Sequence, residues 1–192
     1  ELENGKGKEH YRNGQIKFEG EYFDGRKWNG RGYSFGGEKF FEIKQGKGKI
    51  KEYNYDGYLI FEGEYKNGKR NGIGEEFNGS HYATFSGEYS NGMRHGKGYE
   101  YKENRKLLFE GEYLFGKRIG MGKEYNDKDL LSECEYLNGV KSGKGKEYNN
   151  GELVFEGEYL NGEKNGNGKE YCCNRKLKFQ GEYKNGYRWD GI

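Results

Sequence analysis

The sequence contains no proline, and its 192 residues include only three cysteines, three histidines and two methionines. Without proline, the 36 glycines belong to no Pro/Gly-rich tract and instead punctuate turns. Cys134, Cys172 and Cys173 are too few for a disulfide framework, which fits a reducing, intracellular setting. No apolar run approaches the roughly 20 residues needed to cross a bilayer, and no signal peptide is visible. The net charge of +2 mixes both signs closely, so no strong field favours nucleic acid or an anionic membrane. Hydrophobic residues make up only 31% against 34% charged, with a mean hydropathy of −1.31, a composition that ordinarily marks disorder.

What is present argues against disorder. Aromatic residues are 17% of the chain, and they recur in register. The tripeptide Gly-Glu-Tyr ends at Tyr22, Tyr65, Tyr89, Tyr113, Tyr159 and Tyr183; a further copy, with Cys134 in the glycine position, ends at Tyr136. From Tyr65 onward these tyrosines step by 24, 24, 23, 23 and 24 residues. A fixed period in that range signals a repeat architecture. Phe155–Tyr171 is the clearest copy, and Phe61–Phe77, Phe85–Tyr101 and Phe109–Tyr125 are near duplicates.

Units start near residues 18, 41, 61, 85, 109, 132, 155 and 179, after a leading half unit at 1–11, and form one continuous array over 1–192. The chain opens on Glu1 within one repeat and stops at Ile192 within another, and it reads as a segment of a longer array. Two units carry a tryptophan, Trp28 or Trp189, on what reads as one added residue between two glycines. The unit at 34–51 is degenerate. It keeps Gly46-Lys47-Gly48-Lys49 but has Phe41-Glu42-Ile43 for the tripeptide, and a kink is expected there.

Each unit reads as a β-hairpin. Strict alternation in Phe155-Glu156-Gly157-Glu158-Tyr159 places the rings and the glycine on one face and both glutamates on the other. Asn-Gly and Asp-Gly pairs on either side supply tight primed turns. Alternating turns give an all-β fold: an elongated, twisted, single-layer antiparallel meander, growing by two strands, or roughly 10 Å, per unit. At that spacing the Phe and Tyr of successive units should not touch, so Phe77, Tyr101, Tyr125, Tyr148 and Tyr171 are expected to fill the ladder between them.

With Tyr65, Gly68, Gly72 and Gly74 in a Tyr-x-x-Gly-x-x-x-Gly-x-Gly pattern, the chain resembles the MORN (membrane occupation and recognition nexus) family. Segments such as Asn150–Tyr159 are also similar to the bacterial MORN-variant repeat, sometimes described as an antitoxin component. The resemblance covers nearly the whole chain. It implies a twisted, groove-like sheet acting as a scaffold, dimerisation surface or adaptor, with phospholipid binding also claimed for the family.

The sequence shows no catalytic constellation. Gly46–Lys49 and Gly143–Lys146 are not followed by the Ser or Thr and the helix that a phosphate loop needs. The Glu-Gly-Glu carboxylates lack a pocket to raise a pKa. His10, His81 and His95 are scattered, and Cys172-Cys173 has no partner pair, so no metal, cofactor or catalytic residue is expected. Three features carry recognition instead. The tyrosine face (Tyr22, Tyr65, Tyr89, Tyr113, Tyr136, Tyr159 and Tyr183) is either internal packing or an aromatic groove. Trp28 and Trp189 are bulge fillers or anchors, and Arg70, Arg94, Arg118 and Arg188 form a basic edge.

The leading expectation is a non-catalytic scaffold that binds protein, or a second copy of itself, through the aromatic face. The alternatives are a peripheral adaptor for anionic phospholipid and a neutralising partner for a toxin. Nucleic acid is not an expected partner. The expected setting is intracellular, cytoplasmic or peripheral to a membrane or the cytoskeleton.

Overall fold

A computed structural model describes residues 4–79, 82–127 and 129–191. The fold is all-β, an open antiparallel meander of hairpins in which hydrogen-bonded neighbours follow chain order. The chain divides into two compact units, with the division falling near Gly96.

In the first unit, β1 (Gly5–His10), β2 (Ile16–Phe23), β3 (Arg26–Tyr33) and β4 (Lys39–Ile43) form a four-stranded sheet. A separate ladder follows in β5 (Gly48–Tyr53), β6 (Leu59–Lys66), β7 (Lys69–Phe77) and β8 (Ala83–Ser90). The break falls in the degenerate repeat, where a kink was expected. Lys44 and Lys47 make a lone bridge around Gln45 and Gly46, both at positive φ. Phe18, Phe41, Ile43 and Ile50 bury themselves at the break, with Tyr22 and Tyr65 packed against them.

The ladder register corrects two readings of the sequence. Gly20 pairs with Gly30 as Gly63 pairs with Gly74, so the repeat holding Trp28 has one residue fewer before that glycine, not one more. Gly32 therefore stands where Glu76 stands, and the Phe41 ring occupies the space a side chain there would need. In β5 it is Ile50 that opposes Gly63, so Gly46-Lys47-Gly48 is not the repeat's glycine pair.

The second unit contains most of β9 (Met93–Tyr101), then β10 (Leu107–Leu114), β11 (Lys117–Asn126), β12 (Asp129–Leu137), β13 (Val140–Asn149), β14 (Glu152–Leu160), β15 (Glu163–Tyr171), β16 (Leu177–Lys184) and β17 (Tyr187–Gly191). Two single-turn 3-10 segments, Glu103–Arg105 and Cys173–Arg175, sit in connecting loops. At one edge the hairpin tips are two-residue turns with both residues at positive φ, Phe115-Gly116 in one repeat and Asn-Gly in the others of this unit, as at Asn161 (51°) and Gly162 (90°). Asparagine tolerates this conformation and glycine adopts it freely, which is why the pair recurs. The Asn-Gly tips are stitched to the repeat before them: the Gly162 N–H donates to the Lys141 carbonyl at 2.8 Å, and Gly186 to Lys164 at 2.9 Å.

Candidate functional site

Strand alternation gives each repeat two different faces. On the ring face, Phe155 meets Tyr159 of its own strand at 5.7 Å between centroids and Tyr183 of the next repeat at 5.3 Å, both edge to face. Phe61–Tyr89 (5.2 Å) and Phe109–Tyr136 (5.3 Å) repeat the contact. Successive repeats therefore do touch, contrary to the expectation from strand spacing. The strand between them contributes a glycine, and the rings lean over it. A Cβ on Gly168 would lie 2.8 Å from the Phe155 ring and 2.9 Å from that of Tyr183. Tyr125, Tyr148 and Tyr171 are on the other face, where their hydroxyls donate to Glu110, Glu133 and Glu156 at 2.7, 3.0 and 2.7 Å. Alternation from Gly168 puts Glu170 on the ring face and Tyr171 opposite, which is why these tyrosines are not rungs of the ladder.

The ring face is closed by a charged layer. Tyr113 donates to Glu100 at 2.5 Å, and Arg118 grips the same carboxylate at 2.6 and 3.1 Å while its guanidinium lies 3.8 Å from the Phe109 centroid. Arg70 does this with Glu52 and Phe61, Arg94 with Glu76 and Phe85, and Arg188 with Glu170 and Phe179. Lysine substitutes in three repeats: Lys27 with Glu9 over Phe18, Lys164 with Glu147 over Phe155, and Lys141 with Glu124 in the repeat that has Ser132 in place of phenylalanine. Burial pushes the Tyr183 hydroxyl up to about 12, reinforced by its bond to Glu170, and raises Tyr65, Tyr89, Tyr113, Tyr136 and Tyr159 for the same two reasons. Burial alone would raise Glu76, but bonds from Arg94 and Tyr89 hold it below 4.5.

In two repeats the glutamate just before the motif's tyrosine has a backbone role. Glu135 accepts from the Lys144 N–H and Glu158 from the Asn167 N–H, each at 3.0 Å, beside a bulge glycine at positive φ such as Gly166 (90°). Every position of the Phe-Glu-Gly-Glu-Tyr motif thus has a structural task.

The opposite face carries a trough whose floor is the bare back of the glycine row. In the second unit it measures 610 Å³ over Gly145, Gly157, Gly168 and Gly181, and a 270 Å³ stretch over Gly98, Gly111 and Gly122 shares Met121 with it. The first unit has a 750 Å³ counterpart over Gly7, Gly20 and Gly30. The walls alternate in charge strand by strand: Lys144 and Lys146 on β13, Glu156 and Glu158 on β14, then Asn167 and Lys169 on β15. Lys169 lies 3.7 Å from Glu156, and Lys123 bridges Glu110 and Glu133 at 3.7 and 3.6 Å.

A family model for the MORN repeat matches residues 2–16, 61–80, 85–105, 135–152 and 155–175. The chain belongs to the MORN repeat family. No match was found among curated proteins. MORN repeats are generally non-catalytic modules, often linked to membrane or protein interaction.

Within this MORN array, Tyr89, Tyr113, Tyr136, Tyr159 and Tyr183 are only 2–5% exposed, so internal packing, not an open aromatic groove, is the state of that face; Tyr22 and Tyr65 are half-buried. Arg70, Arg94, Arg118 and Arg188 all hold glutamates and cover rings, and do not form a free basic edge. Trp28 is a bulge residue, its ring lying over Gly46 and 5.3 Å from Phe23. Trp189 occupies the matching bulge and is 67% exposed, with the Lys184 ammonium 4.7 Å from its ring. Two groups of residues escaped the sequence reading. The first is the glutamate of Lys-Glu-Tyr (Glu52, Glu124, Glu147, Glu170) and of Tyr99-Glu100-Tyr101, whose signal was its alternation with the glycine pair. The second is the middle residue of Gly-x-Gly, which varies from repeat to repeat and, as Lys97, Met121, Lys144 and Asn167, lines the trough. Among the described residues no acidic, His or Cys cluster could hold a metal, and no helix is long and apolar enough to cross a membrane. His81 and the Cys173 side chain lie outside the described residues.

Proposed function

We propose that this array is a non-catalytic scaffold that holds an extended, charged polypeptide segment of a partner in its glycine-floored trough. The observation that carries this is the wall charge: in the 610 Å³ trough of the second unit three glutamates stand against three lysines. A balanced wall offers no field for a polyanion such as nucleic acid. It does suit a chain whose side chains alternate in sign, and Met121, 58% exposed where the two stretches join, gives one apolar contact. Because the ring face is filled by its own packing, recognition is assigned to the face with unoccupied relief.

A photoreactive residue in place of Met121 tests the reading. Partner polypeptide trapped at physiological salt, and lost when Lys144 and Lys146 become glutamate without a change in melting, is the expected result. Trapping only from Phe115 at a hairpin tip would overturn the site, and trapping of a second copy alone would convert the function to self-association.

A second reading has one observation in its favour. Leu114, Phe115, Leu137, Val140 and Leu160 project from the hairpin-tip edge of the second unit, 38–67% exposed. Such a line of apolar tips fits shallow attachment to a lipid surface. Retention by vesicles of anionic phospholipid, abolished by Phe115→Ser together with Leu137→Ser, would support it.

A further inference from the structure

The sequence contains thirteen Asn-Gly steps, each able in principle to deamidate through its own backbone. We infer that one of them, Asn150-Gly151, is the site of spontaneous deamidation in the folded protein, and that the fold shields the other twelve.

The chemistry is local. The Gly151 backbone nitrogen attacks the side-chain carbonyl carbon of Asn150, forming a C–N bond that closes a five-membered succinimide. The side-chain nitrogen leaves as ammonia with the amide proton, and water then opens either imide carbonyl to give aspartate or isoaspartate. No electrons are transferred and no further reactant is needed. Two things block the attack: a hydrogen bond that occupies the glycine N–H, and one that holds the asparagine side chain elsewhere.

At the hairpin tips the glycine N–H is occupied. Gly68 donates to the Gly46 carbonyl at 2.9 Å, Gly92 to Arg70 at 2.8 Å, Gly139 to Arg118 at 3.0 Å, Gly162 to Lys141 at 2.8 Å and Gly186 to Lys164 at 2.9 Å. Gly14 donates within its own loop to Tyr11 at 2.9 Å. Elsewhere the side chain is held. The oxygen of Asn4 accepts from the Asp24 N–H, that of Asn29 from Gln45 and that of Asn78 from Tyr82, at 2.8 to 3.0 Å. Asn71-Gly72, Asn165-Gly166 and Asn167-Gly168 lie inside strands, with their glycines registered against Tyr89, Tyr183 and Gly181.

Asn150-Gly151 has neither protection. It forms the two-residue turn between β13 and β14, closed by the Asn149–Glu152 pair, and both of its residues are exposed. Among the described residues no acceptor takes the Gly151 N–H and no donor holds the Asn150 side chain. The reason is architectural. Tips on the other edge are two-residue turns that, at Gly68, Gly92, Gly139, Gly162 and Gly186, stack N–H over carbonyl, whereas this edge carries mostly five-residue loops, and the short Asn150-Gly151 turn stacks on no carbonyl among the described residues. An isoaspartate here would add a backbone atom to a two-residue turn and place a new carboxylate next to Glu152, loosening the β13–β14 hairpin as the protein ages.

The test is incubation of the native chain at pH 9 with peptide mapping by mass spectrometry and enzymatic counting of isoaspartate. Asn150 should gain the one-dalton increase first, at least about fivefold faster than any tip asparagine, since those must open a hydrogen bond before reacting. In guanidinium the difference should vanish, because only the sequence step remains. Tip asparagines deamidating as fast as Asn150 in the native chain would overturn the inference, as would a ranking that survives unfolding.

Discussion

Phe155 and Tyr183 belong to successive repeats, yet their rings meet edge to face at 5.3 Å above the bare Cα of Gly168. A single-layer sheet has no second layer to bury its apolar face. Here the sheet folds its side chains flat along its own length, each ring covering the glycine beside it. Arginine and lysine stems with their glutamate partners then close the layer from above. Stability therefore accrues repeat by repeat, as in other one-dimensional arrays.

Gly168→Val should destabilise by about 1–3 kcal/mol, because the new methyl groups enter space held by two rings that have no alternative site. Asn167→Ala, one residue away but facing the trough, should stay within about 0.5 kcal/mol. Thermal or denaturant melting of the two variants decides the matter. Equal effects would mean that the glycine row is not where the repeats are joined.

Arg118→Ala removes a guanidinium that at once caps the Phe109 ring and binds Glu100, leaving that carboxylate half-buried beside Tyr113. A loss of about 1–3 kcal/mol is expected. Arg118→Lys should recover most of it. The chain contains that experiment already, since Lys164 keeps both contacts, 2.9 Å to Glu147 and 3.9 Å to Phe155. Denaturant midpoints for both variants provide the check, and a lysine variant as weak as the alanine one would assign the effect to the fork geometry alone.

Much of this was legible in the sequence, and the exceptions share a cause. The 23- to 24-residue period, the hairpins, the glycine turns and the break in the degenerate repeat all follow from local chemistry. Reading Tyr171 as a rung failed because the ladder was sought among aromatics. The partner in register was Glu170, whose role appears only once Tyr183 and Arg188 are placed around it. The Trp28 repeat looked one residue longer for a similar reason: counting glycines cannot tell which one pairs with Gly20. Register is a property of two strands, and one strand does not display it. The trough was hidden because its floor consists of residues with no side chain to notice.

The charged layer sets the pH range of stability. Glu76, Glu124 and Glu170 titrate below their ordinary value of 4.5 in the folded chain, so their contribution is present above that value and is lost as pH falls through the lower folded values. Tyr183 and Tyr125 are raised from 10 to about 12, so theirs is present below pH 10 and disappears as pH rises from 10 through about 12. Melting temperature should be flat between these limits and fall outside both. Phenolate absorbance in the native chain should lag behind that of the unfolded chain above pH 10. An alkaline limb that begins well below pH 10 would contradict the assignment.

The repeat at β12 breaks the motif twice, and the two departures compensate. Ser132 stands where other repeats have phenylalanine, and Cys134 where they have glycine. The Cys134 sulfur sits over Gly145, in the space a phenylalanine ring fills over Gly168 one repeat on. The Ser132 hydroxyl meanwhile donates to Glu124 at 2.9 Å and accepts from Lys141 at 3.0 Å, and both residues are at most 2% exposed. Ser132→Phe alone should therefore destabilise, since its ring would meet the sulfur. Cys134→Gly alone should also destabilise, by about 1–3 kcal/mol, since it leaves a void and a more flexible backbone. Together they rebuild the standard repeat, with Lys141 placed over the new ring as Lys164 is over Phe155. The double variant should be at least as stable as the parent, a coupling of several kcal/mol between two positions on one strand. Denaturant melts of the four proteins measure that coupling directly. Additive losses would show that the sulfur does not occupy the ring's place.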